Sequence, residues 1–157
     1  RFAARLGPRA GVKRLPAGEV IQPDELELCA RTQNVELRQG DILLIRTGWL
    51  SVFAEGGPGP FFAAAPGIGR AVGEWIGERG FAAVGADNFA VESHPPDGGG
   101  SIGPVHRRVI RDFGCYLMEM IVLDEIAEKQ VYEFLFVAAP LVIDQGVGSP
   151  INPLAIC

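Results

Sequence analysis

Histidine, cysteine, basic clusters and long apolar runs are all scarce in this 157-residue chain, and each scarcity closes off a class of protein. The three cysteines, Cys29, Cys115 and Cys157, contain no CxxC pair and leave an odd thiol. That pattern suits reduced residues of a cytoplasmic protein better than a disulfide framework. No basic run is longer than Arg107 and Arg108, the net charge is -5 and the pI is near 5.0, which excludes an electrostatic footprint for nucleic acid or an anionic membrane. The most apolar stretch, 134–143, is broken by Pro140 and falls far short of the roughly 20 residues that span a bilayer as a helix. The opening segment RFAARLGPRAGVKRL has neither an apolar signal core nor a small-residue cleavage site; beginning on Arg1, it reads as cut from something longer. With only His94 and His106 available, the three or four protein ligands of a catalytic zinc or manganese are not all evident.

What is abundant is core. An apolar content of 48% and a mean hydropathy of +0.20 fit one densely packed domain over 1–157. Proline and acid at the start of ELELCARTQ predict a helix over 24–32. The run at 42–45 reads as a strand buried on both faces, delivering Arg46, Thr47 and Trp49 at its end. AEGGPGPFFAAAPG reads as a loop. In IGRAVGEWIGERG, Ile68, Val72, Trp75 and Ile76 share a helical face, with Gly80 as C-cap. A second buried strand, FAAVGAD, ends in Asp87, and a long loop carrying His94 leads to a helix from Pro104. Its packing face is Val105, Val109, Ile110 and Phe113. A third strand over 115–121, a short helix LDEIAEKQ, a strand over 132–143 and a closing turn GVGSPINPLAI complete an alternating α/β order.

His106 and Glu119 are the most informative pair. The helix start aims His106 into whatever cleft lies there. Strand alternation puts Glu119 on a face with Leu117 and Ile121, where a buried carboxylate needs a metal, an arginine or a histidine as partner. Together they look like half of a metal site. His106 could instead only hydrogen-bond a loop carbonyl.

The segments RLPAGEVI, RTGW, GADNFAVES, PVHRR with Gly114, MEM and LDEIA, then YEFLFVAAPL and the closing G-x-GSP-x-x-P-x-A together resemble the C-terminal part of the cyclase family, which includes kynurenine formamidase and isatin hydrolase. The resemblance covers nearly the whole chain. It implies a swivelling β/α/β fold whose N-terminal part is missing from this chain, and a metal-dependent hydrolase of an amide, lactam or ester in which zinc or manganese activates water. By the family pattern His106 and Glu119 are metal ligands. The principal ligand motif, H-x-G-T-H-x-D-x-x-x-H, precedes the region covered, so the chain alone is expected to be a poor catalyst. A small-molecule amide or lactam substrate, a homo-oligomer and a separate chain supplying the missing half are the partners implied. Asn152 stands where many relatives carry arginine, and His94 where an apolar or small residue is commoner.

Cleft candidates are Asp87, Asn88, Trp49 and His94. Each has a plainer role open to it: Asp87 as a loop cap, Trp49 as core packing, His94 as a solvent-facing loop residue. Cys115 as a nucleophile is disfavoured by its apolar strand. GGGSIGP lacks the lysine and Ser/Thr of a phosphate loop and reads as a flexible connection. The competing class is a non-catalytic α/β binding or assembly module that keeps the fold.

Overall fold

The computed structural model describes residues 3–6, 12–100 and 103–157; Ser101 and Ile102, within the glycine-rich GGGSIGP segment, lie outside the described residues. Four strands form one all-parallel sheet in the order β1-β3-β5-β6: β1 (Ala3–Leu6), β3 (Ile42–Ile45), β5 (Ala83–Ala86) and β6 (Tyr116–Met118). The two central strands are almost wholly apolar and buried, as both faces of a parallel sheet must be when covered. On one face Leu43, Ile45, Val84 and Ala86 pack against α1 (Pro23–Thr32), α4 (Arg70–Arg79) and Val105 and Val109 of the 104–112 helix. On the other, Leu44, Ala83 and Met118 meet Ile121, Leu123, Phe134 and Phe136. Gly85 lets this second layer pack close to the sheet: a Cβ there would stand 2.7 Å from Ile121 Cδ1 and 2.8 Å from Leu44 Cδ2, and those side-chain ends would have to shift.

Two short strands, β2 (Val20–Ile21) and β4 (Gly67–Ile68), pair in parallel, and Ile68 also bridges Glu92. α1 starts as its sequence predicts, with Pro23 in the first turn and a capping box in which the Gln22 N–H donates to Glu25 Oε2 at 3.0 Å. α4 ends on Gly80, whose φ of +67° makes it a left-handed cap.

Three expectations are corrected. The glycine- and proline-rich stretch after Trp49 is helical, forming α2 (Leu50–Gly56) and α3 (Pro58–Ala63) around the buried Phe61; prolines at helix starts initiate rather than break. The helix from Pro104 is α5 (Pro104–His106) continuing as a π-helix over Arg107–Asp112. Ile110 and Phe113 are exposed, while Val105 and Val109 stay buried. The third strand stops at Met118 and the fourth shrinks to β7 (Leu135–Val137), which pairs antiparallel with β8 (Leu154–Ile156) inside the segment read as a turn. Between β6 and β7 lies α6 (Asp124–Glu128). Among the described residues, no helix is long and apolar enough to cross a membrane.

Candidate functional site

The parallel strands β3, β5 and β6 all run out at one edge of the sheet, the usual place for ligands in open α/β folds. Thr47, Asp87 and Glu119 follow there in turn. Asp87 is buried and ties two strand ends together: its Oδ1 accepts from the Thr47 N–H at 2.7 Å and the Thr47 hydroxyl at 2.6 Å, and its Oδ2 from the Gly48 N–H at 2.7 Å. Burial pushes its carboxyl pKa above the ordinary range, against the opposing pull of these hydrogen bonds and Arg46. Gly48, at φ +77°, has no room for a Cβ, which would press on the Lys13 carbonyl and Arg14.

Asn88 is fully buried and shapes the loop that follows. Its amide donates to the Pro66 carbonyl at 2.5 Å, its Oδ1 accepts from the Val91 N–H at 2.6 Å, and its backbone carbonyl accepts from the Met120 N–H at 2.8 Å. Trp49 is buried beside Phe61 and Ala65, its indole N–H donating to the Phe61 carbonyl at 3.1 Å. His94 is half-buried, paired through its backbone with Ala65, with its ring edge-on to Phe89 at 5.6 Å.

His106 and Glu119 do come together. β6 ends at Met118 and Met120 takes φ +55°; Glu119, between them at the open edge, has its side chain 43% exposed rather than buried. There its Oε1 lies 3.1 Å from His106 Nε2. The other imidazole nitrogen, Nδ1, is 2.7 Å from Oε1 of Glu92. Glu92 is the member of this cluster that sequence reasoning missed. Its side chain is 5% exposed, and its Oε2 accepts from the Val105 N–H at 3.0 Å, capping the helix that carries His106. Hydrogen bonds to Glu119 and Glu92 push the His106 pKa up to about 9, against the cost of burial. A signal for Glu92 was present in GADNFAVES, which holds a carboxylate among small and apolar residues, but nothing in its spacing told that it would be buried.

Chemically this is a carboxylate–imidazole–carboxylate relay with one dry end and one wet end. Among the described residues no group of three or more His, Cys, Asp or Glu side chains converges as a metal site. Cys115 is buried and unpaired, with burial pushing its thiol up to about 11, so it is no nucleophile.

The cyclase family model matches residues 5–93. Among solved structures, one described as a novel cyclase is 34% identical, with a TM-score of 0.84 over 99% of this chain and 53% of its own length. An isatin hydrolase bound to the product analogue thioisatinate has 19% identity and a TM-score of 0.77, covering 97% of this chain and 58% of its own. A third, a potential metal-dependent hydrolase with cyclase activity, has 15% identity and a TM-score of 0.64 over 97% and 62%. No curated protein matches the chain. The chain thus spans between half and two thirds of these structures. With the α/β fold matching along nearly all of its length and the family model along more than half, the chain belongs to the cyclase family.

Proposed function

We propose that the chain is the C-terminal portion of a metal-dependent hydrolase that opens an amide, lactam or ester bond, with zinc or manganese as the cation and an arylformamide or isatin-like lactam as the substrate class. The observation that carries this reading is the convergence of His106 Nε2 and Glu119 Oε1 at 3.1 Å on the open strand edge. That separation fits two adjacent ligands of one ion, each about 2.1 Å from it. The chemistry of the pair fits as well, since a mixed imidazole and carboxylate set suits either metal. When bound, such an ion supplies a Lewis acid and a water of lowered pKa.

The chain's own residues do the positioning. Glu92 holds the imidazole ring by its far nitrogen, and Glu119 brings negative charge to the cation's seat. Asp87 fixes the Thr47–Gly48 turn and Asn88 the loop facing it, so both belong to the frame of the cleft. Trp49 packs with Phe61 and Ala65, and Phe89, packed against that cluster, makes a ring contact with His94. The ligands still needed are those of an H-x-G-T-H-x-D-x-x-x-H segment. Support for an assembly with that segment, or with a second copy, comes from exposed apolar side chains in the C-terminal arm, Leu141, Val142, Ile143 and Val147. Three cysteines held as thiols rather than disulfides support the cytoplasm as its compartment.

The shortage of metal donors among the described residues favours one competing reading, a non-catalytic α/β module. The deciding assay follows formate release from an N-formyl arylamine and ring opening of isatin. It uses the chain alone and co-expressed with the motif-bearing segment, with zinc, with manganese and with EDTA. Metal-dependent turnover in the co-expressed preparation, lost in His106→Ala, supports hydrolysis; no turnover in any pairing supports the module.

A further inference from the structure

We propose that Glu92 is a positioning residue that fixes neutral His106 as the tautomer with its proton on Nδ1, so that a bare Nε2 faces Glu119. The reasoning starts from a group that cannot change its role. The Val105 backbone N–H can only donate, and it is 3.0 Å from Glu92 Oε2. The other oxygen, Oε1, is an acceptor 2.7 Å from His106 Nδ1, so that nitrogen must carry the proton.

A neutral imidazole has one N–H to give, and two carboxylates compete for it. Glu92 is nearly buried, while Glu119 is 43% exposed and 3.1 Å away. Glu119 can turn to water for its hydrogen bonds; Glu92 cannot, and the drier and shorter contact is the stronger one. Nor can Glu92 swing aside, because its backbone is held on both sides: the Ile68 N–H donates to the Val91 carbonyl at 3.0 Å and the Ser93 N–H to the Ile68 carbonyl at 3.1 Å. The tautomer follows from these contacts alone. Its use, presenting the Nε2 lone pair to a cation shared with Glu119, rests on the function proposed above and on the general role of outer carboxylates in orienting metal-binding histidines.

The test is a long-range proton–nitrogen NMR correlation of the imidazole rings in the 15N-labelled, EDTA-treated chain. It is recorded as the pH is raised until the imidazole shifts stop changing, so that the ring is neutral. With two histidines in the sequence, a His94→Gln variant assigns the spectrum. The wild-type chain should show a protonated Nδ1 and a bare Nε2 at His106. Glu92→Gln should invert this, since Val105 keeps the amide oxygen and turns the amide NH2 toward Nδ1, which must then accept. A wild-type His106 protonated on Nε2 overturns the proposal, and so does a folded Gln variant that keeps its proton on Nδ1. If that variant does not fold by circular dichroism, the wild-type spectrum decides alone. No metal or turnover enters this readout. An expected tautomer in a chain that never binds metal sinks the function and leaves the tautomer standing, whereas a wrong tautomer in a metal-binding chain does the reverse. In a preparation that binds zinc, Glu92→Gln should weaken the binding about 10- to 100-fold.

Discussion

Gly67→Ala should damage this protein far more than a single methyl group suggests. Gly67 lies in β4 against the segment carrying Glu92, and a Cβ there would sit 2.5 Å from the carbonyl oxygens of both Val91 and Glu92. These are backbone atoms, so relief requires the whole 91–92 strand segment to move by about 1 Å to reach ordinary contact. A shift of that size breaks the two backbone hydrogen bonds between Ile68 and the Val91 and Ser93 peptides, each contributing about 1 kcal/mol net. Overpacking adds about 1–3 kcal/mol. The reduced entropy of the unfolded chain returns about 0.4–1 kcal/mol. The balance is a loss of about 2–4.6 kcal/mol, or a fall in Tm of roughly 4–18 °C for a chain of this size. Urea unfolding followed by the fluorescence of Trp49 and Trp75 measures it. Gly59→Ala is the control, because nothing lies within 4 Å of its Cβ and a helical Gly→Ala change is neutral or stabilising. A Gly67→Ala chain within about 0.5 kcal/mol of wild type, the usual range for a harmless surface change, would refute the packing argument.

Three further outcomes are expected. Asp87→Ala leaves the Thr47 N–H, Thr47 hydroxyl and Gly48 N–H buried without their acceptor and should cost at least about 3 kcal/mol in the same urea assay; a loss below about 1 kcal/mol contradicts the clamp. Because the folded His106 pKa is raised from 6.5 to about 9, its paired charge stabilises the metal-free chain fully below 6.5, and that contribution is lost as pH rises through about 9. Wild-type stability should therefore decline between about pH 7 and 9 with a slope that His106→Gln removes; equal slopes contradict the ion-paired geometry. Thiol titration with a disulfide reagent at about pH 8 should modify the exposed Cys157 first and the half-buried Cys29 later. Cys115, pushed up to about 11 by burial, should react only on unfolding, and fast native-state reaction there would contradict its burial.

Much of the sheet was legible in the sequence because its signals are local. The apolar run of β3, the acid- and proline-marked start of α1 and the Gly80 cap each reflect a preference of a few neighbouring residues, and each appears where the pattern puts it. The misread segments depend on backbone states that side-chain spacing does not encode. The π-helix over Arg107–Asp112 is not signalled by the apolar spacing, and Ile110 and Phe113, counted in the packing face, are exposed. β6 ends at Met118, so Glu119 falls just outside the strand, its side chain 43% exposed. A metal, an arginine or a histidine was expected beside a buried Glu119; His106 lies beside it, but the burial that motivated the expectation is absent. Glu92 escaped notice because its burial arises from the Ile68 bridge and the Asn88-shaped loop, both long-range consequences of the fold.

The most direct test of the central claim is the metal content of the purified chain by elemental mass spectrometry. It should be taken alone and after co-expression with a segment carrying H-x-G-T-H-x-D-x-x-x-H, with His106→Ala and Glu119→Ala beside it. The account predicts about one zinc or manganese per co-expressed chain, lost in both variants. No metal in either preparation, or metal that survives both substitutions, would contradict it.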